Sequence, residues 1–214
     1  EKPDLIFFTG DLVNNRTTEA IPFLPYLKKL SAPLGVYSIL GNHDYGDYVS
    51  WKSSNDKKEN LLQLENMHRE LGWKILLNEH DVITRQSESI AIIGVQNWGH
   101  AHNFPKYGDI QKATMGLPST PIKLLLSHDP SHFTDTVSKE WHDIDVTFSG
   151  HTHGGQFGIE IGTWKWSPVQ YFYPSWAGLY KTREQYLYVN RGLGMLAYCG
   201  RVGIWPEISV ITLE

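Results

Sequence analysis

A single cysteine in 214 residues, Cys199, excludes an intramolecular disulfide, and its apolar neighbours predict an inert buried thiol rather than a nucleophile. No run approaches the roughly 18 apolar residues of a membrane-spanning helix, and no signal-peptide core is visible, so the sequence reads as a soluble domain. Basic charge is scarce as well. The 19 Lys and Arg are outnumbered by 23 Asp and Glu, for a formal net charge of -4. Without a Lys/Arg stripe to release counterions, nucleic acid is not an expected partner. The chain also lacks internal repeats, low-complexity tracts, a nucleotide-binding glycine loop and a Ser-His-Asp arrangement. Disorder is excluded by 41% hydrophobic and only 20% charged residues. The length suits one α/β domain over residues 1–214.

What is present is one design used repeatedly. Four short apolar runs, at residues 4–8, 35–40, 122–126 and 144–148, each predict a strand buried on most of its faces. A small residue and then a metal-ligand type follow each one. These are Gly10-Asp11, Gly41-Asn42-His43-Asp44, Ser127-His128-Asp129 and Gly150-His151-Thr152-His153. Loops beyond the carboxyl ends of strands in an open α/β sheet converge on one crevice, so four distant segments can build one site. Between them, residues 17–30 predict a helix with Thr17 or Thr18 at its N-cap and an irregular start at Pro22 and Pro25. Residues 57–71 predict a more regular helix closed by Gly72. Residues 73–77, 82–85 and 90–95 predict a second, antiparallel-leaning stretch of sheet. A short helix is expected over 109–115, and closing strands over 186–189 and 208–213.

Phosphoester hydrolysis needs a strong nucleophile at neutral pH and positive charge on the developing phosphate oxygens. Two divalent cations about 3.5–4 Å apart supply both. Asp11 suits the bridging carboxylate, and Asn42, His128, His151 and His153 offer neutral donors of the kind that Mn, Fe or Zn accept. Gly150, Gly154 and Gly155 let the backbone bend until both imidazoles of the His-x-His pair face one centre. Taken singly, each residue has a plainer use: Asp11 in a cap, Asn42 in a turn, a lone histidine in the core. Placed in this order after four strands, they point to one metal centre.

These motifs resemble those of the calcineurin-like metallophosphoesterases, and the match spans nearly the whole chain. The resemblance implies an α/β fold built as a four-layer α/β/β/α sandwich of two mixed sheets, with a dinuclear centre at the strand ends. It implies a metal-dependent phosphohydrolase that cleaves a phosphoester or pyrophosphate bond with a metal-activated hydroxide. Asp11 would bridge two divalent ions, Asn42, His128 and His151 would complete one site, and His153 would join the other. His43 would be catalytic from outside the metal shell, acting on the leaving group, with Asp44 orienting it. The family's first motif, an Asp-x-His on a preceding strand, is absent, since Asp4 has no histidine two places on. The expectation is therefore a strand-helix unit of roughly 30 residues upstream of Glu1, and a chain that by itself fills one metal site well and the other poorly.

Three longer strings, 41–46, 151–156 and 190–194, resemble the branch often tethered by N-terminal membrane segments, which includes UDP-2,3-diacylglucosamine hydrolases. This implies a phosphorylated small-molecule or lipid-linked substrate, and a membrane surface reached through upstream segments. Arg191 and Arg201 are candidates for bidentate phosphate binding and equally for ion pairs. The aromatic density between Trp164 and Tyr180 predicts a core loop under the site, with a lipid-facing rim as the alternative. His100 and His102 read as loop residues and His132 as close to the site, while His68, His80 and His142 read as helix or surface residues. The competing class is a non-catalytic binding scaffold on the same fold, which would be expected to lose the ligands retained here.

Overall fold

Short apolar stretches become strands where a neighbouring backbone offers a ladder, and the connections decide which neighbour that is. The computed structural model describes residues 1–85, 87–99 and 104–213, so His100 and His102 lie outside the described residues. Strands β1 (Ile6–Phe8), β2 (Val36–Ser38) and β3 (Lys74–Ile75) form an all-parallel sheet in that order. Eight strands follow: β4 (Glu79–Arg85), β5 (Glu88–Gly94), β6 (Ile122–Leu126), β7 (Val146–Ser149), β8 (Ile159–Ile161), β9 (Trp164–Trp166), β10 (Gly178–Thr182) and β11 (Gln185–Val189). Six of them make a second sheet in the order β10-β11-β7-β6-β5-β4. It is parallel at its centre and ends in an antiparallel hairpin on each side. β8 and β9 pair only with each other. The fold is thus mixed α/β.

Two sequence expectations are corrected here. Only the six-stranded sheet is mixed. The first of the three strands expected to run antiparallel belongs instead to the parallel sheet, because the long helix α2 (Ser54–Glu70) returns the chain beside β2 in the same direction. That helix begins a turn earlier than its apolar stripe suggests, since the Ser53 side chain caps it by accepting from the Asp56 amide. Ahead of it, Pro22 and Pro25 limit residues 17–30 to a 3-10 segment (Thr17–Phe23) and one short helix, α1 (Leu24–Leu27). Thr17 is not the cap. Its hydroxyl donates to the Asn60 carbonyl at 2.7 Å, and the Glu19 carboxylate takes the amides of Asn14 and Arg16.

Three apolar clusters hold the layers together. Tyr37, Ile39, Leu76, Ile92, Leu124, Leu126 and Phe148 lie between the two sheets. The far side of the larger sheet packs Ile93, Leu125, Leu187 and Val189 against Ile110 and Ala113 of α3 (Ile110–Thr114) and against Phe133 and Val137, which precede α4 (Ser138–Glu140). Leu64 of α2 joins Ala20, Leu40, Ile75 and Val13 beside the smaller sheet. At roughly 25 cal/mol per Å² of apolar surface removed from water, this burial is the main force assembling the layers.

The expected strand over 208–213 does not form. No described strand lies alongside it. Side-chain bonds hold its start, where the Tyr188 and Asn190 side chains meet Ser209, and Ile208 stays 77% exposed. Cys199 is also exposed rather than buried, because it rides on an outer loop whose apolar neighbours face outward with it. Among the described residues no helix is long and apolar enough to cross a membrane.

Candidate metal centre

Four strand ends deliver the donors, and close backbone approach makes this possible. A Cβ built on Gly41 would sit 2.2 Å from Asp11 Oδ1 and 2.6 Å from His128 Cε1; one on Gly10 would sit 2.5 Å from the Gly41 nitrogen. Only glycine lets the two loops touch here. Three of the donors stand in left-handed backbone that side chains with a Cβ rarely adopt: Asp11 at φ 57°, His151 at φ 68° and His153 at φ 51°. The turns are shaped around the ligands at a local cost of roughly 1–3 kcal/mol each.

The donor atoms converge. Asp11 Oδ2 lies 3.0 Å from His128 Nε2, which lies 3.2 Å from His151 Nδ1, itself 2.9 Å from Asn42 Oδ1. One ligand atom each from Asp11, His128 and His151 falls within 4.8 Å of the others. Asp11 Oδ2 and His153 Nδ1 are buried without an aligned hydrogen-bond partner among the described residues. Orphaned acceptors beside two imidazoles and an amide oxygen fit a divalent cation of the Mn, Fe or Zn kind.

Surrounding groups aim these donors. His128 Nδ1 lies 2.7 Å from the Thr9 carbonyl, which can only accept, so Nδ1 carries the hydrogen and Nε2 faces the centre. His151 Nε2 meets the Tyr173 hydroxyl at 2.7 Å, and the Asn42 side-chain amide donates to Tyr48 Oη at 2.8 Å, which turns Oδ1 inward. His43 Nδ1–H donates to the Asn14 carbonyl at 2.9 Å, and the His43 ring lies 4.6 Å from Tyr48. Asn14 and Tyr48 therefore position His43. Asp44, expected to orient His43, is fully buried and accepts from the amides of Asp11 (2.8 Å), Leu12 (2.9 Å), Val13 (3.3 Å) and Gly41 (2.9 Å). These four bonds tie the Asp11 loop to the turn after β2.

Charge follows the same geometry. Burial alone would raise Asp11, but the positive charge of His128 beside it holds the carboxyl well below the usual range. Burial would lower His128, yet the Asp11 carboxylate raises it to about 9. Burial and the neighbouring charge of His128 depress His151 to about 4, and burial depresses His153 to about 4. Asp44 is pushed up to about 7 by burial and by the Asp11 charge, against the pull of its amide donors.

The remaining candidates fall elsewhere. Arg191 is engaged by Glu207 at 2.6 Å and Glu160 at 2.7 Å, so its donors serve ion pairs. Arg201 touches the site from behind, donating to the carbonyls of His153, Arg191 and Gly194. His132 is buried next to the His128 loop, bonded to Ser127 Oγ at 2.9 Å and stacked on Trp98. His68 is a fully buried helix residue. The aromatic stretch divides: Trp176 is buried and Tyr173 reaches His151, but Trp164, Tyr171 and Phe172 are exposed. Sequence reasoning missed Tyr48, Asn14 and Phe104, the last of which sets its ring against His151 at 5.2 Å. Asn14 and Tyr48 carried a local signal, being three residues past Asp11 and five past His43 in stretches next to assigned site motifs.

A family model described as calcineurin-like phosphoesterase matches residues 1–155. An uncharacterized metallophosphoesterase of Bacillus subtilis, YkuE, is 31% identical over the whole chain, which spans 68% of that protein. The UDP-2,3-diacylglucosamine pyrophosphatase LpxG of Chlamydia trachomatis is 31% identical over 98% of this chain and 73% of its own length. Among solved structures, a 5'-nucleotidase precursor from Thermus thermophilus superposes on 90% of the chain with a TM-score of 0.53, at 13% identity and over 40% of that protein, which bears on the fold alone. The chain belongs to the calcineurin-like phosphoesterase family.

Proposed function

We propose that this chain hydrolyses a phosphoester or pyrophosphate bond at a centre where Asp11, Asn42, His128 and His151 hold one divalent cation, and Asp11 and His153 contribute to a second. One observation carries this reading: donors from four separate strand ends meet within hydrogen-bond distance, around a carboxylate oxygen left buried and unaligned. Cations bound there supply Lewis acidity, lowering the pKa of water and offsetting phosphate charge. The chain's own groups do the rest. Thr9 and Tyr173 fix the imidazole orientations, and Asp44 holds the Asp11 loop. The Asn14 carbonyl accepts from His43 Nδ1, so the doubly protonated ring would present Nε2–H to the leaving group and return to the neutral Nδ1–H form on giving that proton up. Arg201, held behind His153 by carbonyls rather than carboxylates, would favour an anionic substrate through its charge alone, whereas Arg191 is neutralised by two carboxylates.

The three clusters support reading residues 1–214 as one catalytic domain with α/β/β/α layering. The substrate we infer is a phosphorylated small molecule or a lipid-linked phosphate, in keeping with the pyrophosphatase activity named for the chlamydial relative. The test combines metal content per chain with hydrolysis of bis-p-nitrophenyl phosphate, for the native protein and for His128→Ala, with Mn added. Mn-dependent turnover that is lost in His128→Ala supports the reading. Metal binding without hydrolysis across a phosphoester panel would put a binding scaffold in its place.

A further inference from the structure

Residues 9–16 lie in neither helix nor strand, yet they carry the Asp11 carboxylate and, three residues on, the Asn14 carbonyl to which His43 is bound. With no ladder to satisfy it, this backbone takes its shape from side chains. Three of them divide the work. Asp44 accepts from the amides of Asp11, Leu12 and Val13. Glu19 accepts from Asn14 at 2.7 Å on one carboxylate oxygen and from Arg16 at 2.9 Å on the other. Asn60 of α2 donates to the Asn15 carbonyl at 3.3 Å and accepts from the Thr17 amide at 2.9 Å.

The Asn14 carbonyl stands between the two amides that Glu19 holds. Peptide planes are rigid, so fixing the nitrogens of residues 14 and 16 restricts where the carbonyl between them can point. A carboxylate does this with two charge-assisted bonds at a set spacing. Capping explains only one of them. Glu19 is the third residue of the 3-10 segment that Arg16 caps, and a capping box requires the bond to the Arg16 amide alone. The bond to Asn14, five residues back, does nothing for that segment, but it braces the residue whose carbonyl receives His43 Nδ1–H at 2.9 Å. We propose that Glu19 is a positioning residue for the hydrolysis inferred above: acting through the Asn14 carbonyl, it holds the His43 ring where Nε2–H meets the leaving group. The inference rests on His43 being the proton donor. Glu19 is exposed, whereas Asp44 and Asn60 are buried, so it can be replaced without opening the core.

A proton donor matters more as the leaving group becomes more basic, which a brace for the fold alone would not reproduce. The test compares bis-p-nitrophenyl phosphate with diphenyl phosphate, whose phenolate leaves as a stronger base. Native protein, Glu19→Ala, Glu19→Gln, His43→Ala and the double variant Glu19→Ala/His43→Ala are assayed with Mn, alongside metal content and thermal melts. In Glu19→Ala, kcat on diphenyl phosphate is expected to fall about tenfold and on bis-p-nitrophenyl phosphate about twofold, with KM unchanged. Glu19→Gln keeps one acceptor oxygen and is expected to recover part of the loss. Without His43, removing Glu19 is expected to slow neither ester further. Equal losses on the two esters, or a loss that persists in the His43→Ala background, would overturn the proposal and leave Glu19 a cap. Native protein that hydrolyses neither ester would overturn the phosphohydrolase reading itself, and this proposal with it.

Discussion

Replacing Asp44 by asparagine separates two roles for this carboxylate. The structure gives it four backbone amides, two on each oxygen: Leu12 and Val13 on Oδ1, Asp11 and Gly41 on Oδ2. Asparagine keeps one acceptor oxygen and turns an NH2 toward the other pair of donors. Two bonds to a charged acceptor, each worth about 1.5–3 kcal/mol, are lost inside the protein, and removing the buried charge that burial and the Asp11 carboxylate disfavour gives part of this back, which leaves a cost of about 3 kcal/mol. Against a total stability of roughly 5–15 kcal/mol the variant still folds. The assay is urea unfolding of metal-free protein at pH 8, above the value of about 7 to which burial and Asp11 raise this group. With a urea slope of about 2 kcal/mol per M, the midpoint should fall by about 1.5 M. Asp44→Ala should cost more, since all four amides lose their acceptor. A midpoint within about 0.3 M of native would refute the clamp. If hydrolysis were then lost with stability intact, the expected role of Asp44 in orienting His43 would return.

Tyr173→Phe removes the hydroxyl that meets His151 at 2.7 Å; metal affinity by chelator competition should drop about 10- to 100-fold while the melting temperature barely moves, and unchanged affinity would remove Tyr173 from the centre. A cation must displace the proton that the Asp11 charge, overcoming burial, keeps on His128 up to about 9. The logarithm of metal affinity should thus rise by about one per pH unit between pH 6 and 8, and a flat profile would contradict the ion pair. His68 sits at about 4 because burial disfavours its charged form. The unfolded chain takes up this proton below about 6.5 and the folded chain does not, so stability present above pH 6.5 is lost as pH falls toward 4. His68→Leu should spare about 2 kcal/mol of the loss between pH 7 and 5, read as the difference in urea midpoints, and identical acid sensitivity would count against the buried neutral ring.

Much of the centre was legible because its ligands sit one or two residues beyond apolar runs, where strand physics fixes both the burial of the run and the position of the loop. Asp11, Asn42, His128 and His151 meet as their spacing implied. What a single sequence hid were the contacts made across the fold. Nothing near Asp44 shows that its carboxylate will face the amides of residues 11–13 rather than His43. Nothing near Tyr173 shows that an aromatic stretch will send one hydroxyl to His151 and neighbouring rings into solvent. The same limit explains β3, whose partner was chosen by the return of α2, and residues 208–213, whose alternation asks for a ladder that no described strand offers.

The left-handed turns at Asp11, His151 and His153 have a consequence for descent. Glycine at any of them would relax the backbone and, by that measure alone, make a sturdier metal-free protein. Selection for stability and selection for the metal centre therefore pull in opposite directions at the same codons. A lineage released from catalysis would be expected to drift toward glycine at these positions first, gaining robustness as it lost its ligands.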